Sequence, residues 1–166
     1  MRTIPALAAV ALAACSGDDD TDTAATVTAC QGAGEAQIQA GSGGLNAFVP
    51  WVDGDAVQIA DDGTGRYGFQ AELLSNGLDT TDAVSTFLRF RTGDVAESQD
   101  VGANLQFQCP NEGPGWTAVF APLADDYQDA AAVAALDGVA LHLTVLATDQ
   151  TAESTEQQLE LVYAAP

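Results

Sequence analysis

Cationic side chains are nearly absent from this sequence. Its 166 residues include no lysine, four arginines and one histidine, against 24 aspartates and glutamates, and the formal net charge is −20. Proteins bind nucleic acid through cations that displace condensed counterions, so this composition excludes a nucleic-acid partner. A polyanion is also repelled by anionic lipid headgroups. Any attachment to a membrane is therefore expected to be covalent.

The first hydrophobic run is too short to cross a bilayer. It covers residues 4–14, whereas a spanning helix needs about 20 apolar residues. The run ends in Leu12-Ala13-Ala14-Cys15, which resembles the bacterial lipobox, where the cysteine thiol receives a lipid and the preceding leader is removed. This predicts a lipoprotein signal peptide at residues 1–14 and lipidation of Cys15; an ordinary signal peptide ending near Ala14 is the alternative. Serine instead of aspartate after the cysteine favours the outer membrane over the inner.

The segment after the leader has no apolar periodicity. Residues 15–29 are predicted to be a lipidated, acidic, disordered tether, because they combine aspartates with small and polar residues. As a flexible coil, the 14 residues after Cys15 span roughly 20 Å. The folded domain is expected at residues 30–166.

Cysteine is scarce, and its three positions have separate roles. With Cys15 assigned to the lipid, Cys30 and Cys109 remain as an even pair in an oxidising compartment. A disulfide between them closes a long loop and stabilises the domain by ~4.5 kcal/mol in the chain-entropy model. A thiol nucleophile or a metal site is the alternative, but one histidine and no Cys-x-x-Cys pair disfavour a metal.

Alternation of apolar and polar residues dominates the rest of the chain. Each stretch has one apolar and one polar face, which predicts an all-β fold, specifically an immunoglobulin-like antiparallel two-sheet sandwich. An alanine-rich segment at 125–136, followed by Gly138, predicts one short crossover helix. The alternating stretches lie at residues 36–40, 57–59, 67–73, 84–90, 105–109, 116–120, 139–145 and 159–163, with 45–49 as a ninth candidate.

Two groups of motifs carry a family resemblance. One comprises Phe48-Val49-Pro50, Asp53-Gly54-Asp55 and the glycine-rich turn into 65–69; the other lies in 137–149. They resemble uncharacterised lipoproteins of myxobacteria and their relatives. That resemblance covers about half of the mature chain and implies an immunoglobulin-like sandwich without an assigned activity. It transfers no site residue.

Aspartates cluster on both sides of one short strand. Asp53 and Asp55 precede it, and Asp61 and Asp62 follow it, in glycine-rich loops of the kind that supply oxygen ligands to Ca²⁺. Neither segment has EF-hand spacing, and aspartate and glycine are also ordinary turn residues. The sequence leaves calcium ligation and turn formation as alternatives.

Aromatic and basic residues suggest a binding surface. Trp51, Arg66 and Tyr67 are the candidates, although Trp51 also fits a core position; Trp116 is expected in the core. Arg89 and Arg91 share a strand face, where they either bind an anion or pair with acids such as Glu72. His142 alternates with leucines and is expected at the surface.

These observations predict a lipid-anchored cell-envelope protein with a non-enzymatic binding or structural domain. A Ser-His-Asp triad is disfavoured because no Gly-x-Ser-x-Gly turn presents a serine. No cofactor is expected beyond possible Ca²⁺. The expected partners are the membrane, through the Cys15 lipid, and an envelope protein or glycan. The alternatives are a calcium-dependent carbohydrate-binding or adhesion module, and a carbohydrate-active hydrolase that uses two acids.

Overall fold

A computed structural model describes residues 30–93, 98–109 and 113–166. The predicted signal peptide, Cys15 and the tether lie outside the described residues. Within these ranges, no helix has the length and apolar character needed to cross a membrane.

Nine strands and one short helix make up the described chain. A single 3-10 turn, Asp125–Tyr127, precedes helix α1, Ala130–Ala134. The strands are β1 Gln37–Ser42, β2 Val49–Pro50, β3 Ala56–Asp61, β4 Tyr67–Asn76, β5 Val84–Thr92, β6 Ser98–Leu105, β7 Gly115–Pro122, β8 Ala140–Thr148 and β9 Ser154–Ala164.

The strands form two layers joined by β3. Sheet I has the order β2-β1-β4-β7, and sheet II has the order β9-β8-β5-β6. Strand β3 pairs antiparallel with β4 in sheet I and parallel with β9 in sheet II. The predicted all-β, sandwich-like fold is thus confirmed, with this one parallel pairing as a departure from a fully antiparallel arrangement.

The core lies between the inner faces of the two sheets. Phe69 of β4 packs edge-on against Phe90 of β5, with ring centroids 5.0 Å apart, and its ring also contacts Tyr163 of β9. Burial raises the pKa of Tyr163 to about 12, and its hydroxyl pairs with the hydroxyl of Thr92 at 3.2 Å. Aromatic side chains from three strands therefore join the two layers.

The crossover helix is shorter than the predicted 125–136. Asp129 caps it by accepting hydrogen bonds from the amides of Ala131 and Ala132, both at 2.9 Å. After the helix, Gly138 adopts a φ of 74° and donates its amide hydrogen to the carbonyl oxygen of Tyr163. Glycine adopts this left-handed conformation without strain. The helix itself ends at Ala134, with Ala135 as its C-cap, so the prediction that Gly138 ends the helix was wrong.

Two predictions for strands near the disulfide were wrong. No strand forms over the predicted residues 105–109. Strand β6 ends at Leu105, and beyond it only Gln108 pairs, as an isolated bridge to Trp116. In β7, Thr117 and Ala121 are buried, whereas Trp116 is half-buried on the opposite, outer face. The expected core position of Trp116 was therefore wrong, because the inner face of β7 carries the smaller side chains.

The predicted disulfide is present. Cys30 and Cys109 are bonded, with Cα atoms 5.0 Å apart and a sequence separation of 79. The hydroxyl of the buried Thr80 donates to the carbonyl oxygen of Cys30 and lies 3.4 Å from the sulfur of Cys109. The bond fixes the start of the domain to the segment that connects β6 with β7.

Candidate functional site

The carboxylates of Asp53 and Asp55 hold the loop before β3. Oδ1 of Asp53 accepts the amide hydrogen of Glu160 at 2.9 Å, and Oδ2 of Asp55 accepts that of Val52 at 2.9 Å. Gly54 also donates its amide hydrogen to the carbonyl oxygen of Glu160. The Asp53 carboxylate thus attaches this loop to β9, whereas the Asp55 carboxylate bonds within the loop itself.

Asp61 and Asp62 organise the turn between β3 and β4. Oδ1 of Asp61 accepts the amides of Gly63 and Gly65, and Oδ1 of Asp62 accepts the hydroxyl and the amide of Thr64 at 2.6 and 2.8 Å. The hydrogen bonds from Thr64 lower the pKa of Asp62. Among the described residues, no group of three or more His, Cys, Asp or Glu side chains is arranged to hold a metal ion. Calcium ligation by these four aspartates remains a prediction.

The predicted surface of Trp51, Arg66 and Tyr67 does not form one patch. Trp51 is 7% exposed and belongs to the core, because its amide donates to the carbonyl oxygen of Ala40 and holds it against β1. The assignment of Trp51 to a binding surface was therefore wrong. Tyr67 is half-buried, and its backbone amide donates to the side chain of Gln128 at 2.6 Å. Arg66 is exposed at the β3–β4 turn.

A different surface collects cationic side chains, namely the outer face of sheet II. Strand register places Arg91 opposite His142 and Arg89 opposite Thr144 on this face. On the next strand, Glu160 lies opposite His142, and Gln158 lies opposite Thr144. We call this surface the arginine face; its residues are Phe87, Arg89, Arg91, Asp100, His142, Thr144, Leu146, Glu156, Gln158 and Glu160.

Arg89 lies near the β6 side of the arginine face. Its Nε donates to Oδ1 of Asp100 at 3.0 Å, while 59% of the Arg89 side chain remains exposed. The hydrogen bond with Asp100 raises the pKa of Arg89. The guanidinium carbon also lies 5.5 Å from the centre of the Phe87 ring. The expected ion pair is confirmed, but its partner is Asp100 and not Glu72, which lies in sheet I.

His142 and Arg91 occupy the next row of the face. Nδ1 of His142 contacts Oε2 of Glu160, and the imidazole is 29% exposed. His142 therefore lies on the expected surface but is more enclosed than the alternation alone predicted. Arg91 is exposed, and none of the described acidic side chains lies within ion-pairing distance of its guanidinium.

A depression opens beside this row. It has a volume of about 280 Å³ and lies between β8, β9 and the loop that carries Asp53. Its polar lining combines an imidazole, a hydroxyl, an amide and two carboxylates. The residues that supply these groups are Asp53, His142, Thr144, Gln158 and Glu160.

A second cleft, of about 370 Å³, surrounds Arg66 at the end of the sandwich. Its lining includes Asp125 and Asp126 as well as Gln99 and Leu123. Two carboxylates flank the single guanidinium, so an anionic ligand would meet repulsion there. The arginine face is the stronger candidate for such a ligand.

The sequence singled out the two arginines, but it did not show which strands and side chains surround them. Alternation around Leu141 and Leu143 placed His142 and Thr144 on an outer face, yet it gave no information about which strands are neighbours. Asp100 was missed because β6 has almost no apolar alternation. The rarity of basic side chains was the one signal in the sequence that pointed to this face. Arg89, Arg91 and His142 are three of the four basic side chains that follow the predicted leader.

Comparisons with known proteins add no functional information. No family model matches the chain, and no curated protein sequence matches it. Among solved structures, the chain is similar to the N-terminal domain of PorA at 10% identity and a TM-score of 0.28, covering 76% of this chain and 97% of that one.

Proposed function

We propose that this protein is a lipid-anchored cell-envelope protein whose immunoglobulin-like domain is non-enzymatic and binds an anionic partner through the arginine face. The observation that carries the proposal is the distribution of charge. Three of the four basic side chains after the leader, Arg89, Arg91 and His142, lie together on this face. Three of the described acids, Asp100, Glu156 and Glu160, accompany them there.

This distribution matters because the chain as a whole repels anions. A negatively charged ligand approaching most surfaces of a protein with a net charge of −20 meets a repulsive field. The arginine face is nearly neutral and carries two exposed guanidinium groups. Guanidinium groups match carboxylate and phosphate geometry and can bind them through two parallel hydrogen bonds.

The assignment to the envelope is supported by the disulfide and by the leader. Disulfides persist in oxidising compartments and are rare in the cytosol, and Cys30–Cys109 is present. A lipobox-like segment precedes an acidic stretch that leads directly into Cys30. Together these features agree with a domain held outside the cytoplasm by a lipid at Cys15.

The non-enzymatic assignment is supported by the chemistry of the described acids. A glycoside hydrolase that uses two carboxyls needs one of them with a raised pKa. Hydrogen bonds lower the net pKa of Asp62 and of Asp149, so neither of these two carboxyls has the property of that acid. His142 contacts the carboxylate of Glu160 and not a serine or cysteine nucleophile.

The anchor is tested by feeding the native host an alkyne-labelled fatty acid and measuring label on the protein. We expect Cys15→Ser to abolish labelling, because it removes the acceptor thiol. The matched control is the double variant Cys30→Ser/Cys109→Ser, which keeps Cys15 and should remain labelled. Equal labelling of wild type and Cys15→Ser would contradict the anchor.

The binding face is tested separately with the full chain carrying Cys15→Ser, so that lipid does not contribute. Its retention on native envelope fragments is measured at low and high salt. We expect Arg89→Ala/Arg91→Ala to reduce retention at least tenfold, whereas Arg66→Ala changes it less than twofold. Equal loss in both variants would contradict the proposed face.

A further inference from the structure

The depression beside the arginine face has the composition of a site for a hydroxyl-rich ligand. We infer that it binds a sugar unit bearing a carboxylate, of the uronic acid type, as part of an envelope or extracellular polysaccharide. This inference rests on the proposed function, since it assigns the anionic partner of the same face. Three features support it: the size of the depression, the mixture of its polar groups, and the position of the arginines.

The size fits one sugar ring. Sites for drug-sized molecules enclose about 300–1,000 Å³, so a depression of about 280 Å³ suits a smaller unit. It is open to solvent along the sheet surface, and neighbouring sugars of a chain can therefore extend across the face. Leu146, which is 37% exposed, and the half-buried Phe87 supply apolar surface on the same face.

The polar groups can serve hydroxyls, which both donate and accept hydrogen bonds. Asp53 and Glu160 offer carboxylate oxygens to hydroxyl donors, and each carboxylate has more acceptor positions than its one described contact uses. Thr144 offers a hydroxyl, and Gln158 offers an amide that already donates once, to Glu156 at 2.6 Å.

The arginines stand one strand away from the depression. Arg91 lies directly opposite His142, and Arg89 lies directly opposite Thr144, on strands spaced about 4.8 Å apart. A ring seated over His142 and Thr144 would therefore place a carboxylate substituent within reach of these guanidinium groups. Carboxylate is favoured over a doubly charged phosphate, because Asp100, Glu156 and Glu160 repel a dianion more strongly.

The probes are trigalacturonate and trimannuronate, titrated against the purified full chain in detergent and followed by isothermal calorimetry. We expect one or both to bind. We also expect at least tenfold weaker binding for the same trimers with their carboxyls reduced to alcohols. Binding should weaken at least tenfold in Arg91→Ala and less than twofold in Arg66→Ala, which removes the same charge away from the face.

Two further variants separate the sugar from the charge. Arg91→Lys keeps the cation but loses the paired donors, so its affinity should fall between wild type and Arg91→Ala. Thr144→Val should weaken uronide binding several-fold without changing binding of an oligoglutamate peptide, since only hydroxyls are expected to use this side chain. Thermal unfolding of each variant checks that the fold is intact.

Failure of the inference is distinguishable from failure of the proposed function. If oligoglutamate binds as tightly as the uronides and depends equally on Arg91, the sugar assignment is wrong and the binding face stands. If neither uronide binds while envelope retention still depends on Arg89 and Arg91, the sugar assignment again fails alone. If retention is also independent of both arginines, the proposed face fails with it.

Discussion

The two ends of the sandwich are built from similar turns but are held together differently. At one end, where the domain begins, the disulfide, Thr80 and the turn at Asp149 connect separate segments of the chain. At the other end, the exposed turn at Asp62 binds mainly its own neighbours in sequence. A carboxylate therefore links segments that are distant in sequence at one end, whereas at the other end it stabilises only its own turn.

Asp149 illustrates the first case. It is 7% exposed, and its carboxylate accepts amide hydrogens from Thr151 and Glu153 in its own turn and from Asp79, 70 positions away. Desolvation raises its pKa, but the hydrogen bonds from Asp79, Thr151 and Glu153 outweigh this, and the net pKa is lowered. A charged hydrogen-bond acceptor in a buried position thus links two loops.

The largest expected effect at the first end comes from the disulfide. We expect Cys30→Ser/Cys109→Ser to lower the free energy of unfolding by ~4.5 kcal/mol, because the unfolded chain regains the freedom of a long loop. Chemical denaturation of wild type and variant measures the difference. A loss below about 1 kcal/mol would mean that Thr80 and Asp149 hold this end without the covalent bond.

A smaller effect is expected from Asp149→Ala. It should cost about 2 kcal/mol, because the amide hydrogens that the carboxylate accepts lose a buried partner. Asp149→Asn tests the charge itself. The pKa of Asp149 is lowered from 3.8, so its stabilisation is fully present above that pH and is lost as the pH falls through the folded-state pKa.

The stability gap between wild type and Asp149→Asn should accordingly be constant near neutral pH and should shrink below about pH 4. Urea denaturation at a series of pH values measures it. A gap that stays the same down to pH 2 would show that the charge of Asp149 does not contribute.

The smallest effect is expected at the opposite end. Asp62→Ala should leave the melting temperature nearly unchanged, since the Asp62 turn is exposed and its bonds are local. Millimolar Ca²⁺ should also leave it unchanged, because Asp61 and Asp62 already accept backbone amides. A rise in melting temperature with Ca²⁺ that disappears in Asp61→Asn/Asp62→Asn would establish the calcium site instead.

Alternation predicted the central strands well because their burial is one-sided. In β8, Leu141, Leu143 and Val145 are buried while His142 and Thr144 face outward, as the pattern requires. Strand β6 was missed because its sequence, SQDVGANL, gives no such pattern, and its described side chains are exposed or half-buried. An edge strand with few buried side chains has few apolar residues, so its sequence shows no clear alternation.

The site was less predictable than the fold because it depends on strand neighbours. Arg89 and Arg91 share a face by sequence alone, but the partner of Arg89 depends on whether β4 or β6 adjoins β5. Glu72 was the expected partner, yet β4 belongs to the other sheet. The depression beside His142 likewise requires the loop of Asp53, which is over 80 positions away in sequence. Local periodicity carries no information about such contacts.

The disulfide also determines how the domain would respond to mechanical load. A force applied at the amino-terminal side reaches Cys30 and passes through the sulfur atoms to Cys109. The intervening chain, which includes β1 to β6 and corresponds to a sequence separation of 79, is bypassed. About 270 Å of contour length is thereby withheld from extension until the bond is reduced. Pulled from its amino-terminal side, the oxidised domain from Cys30 onward would lengthen only through the chain after Cys109.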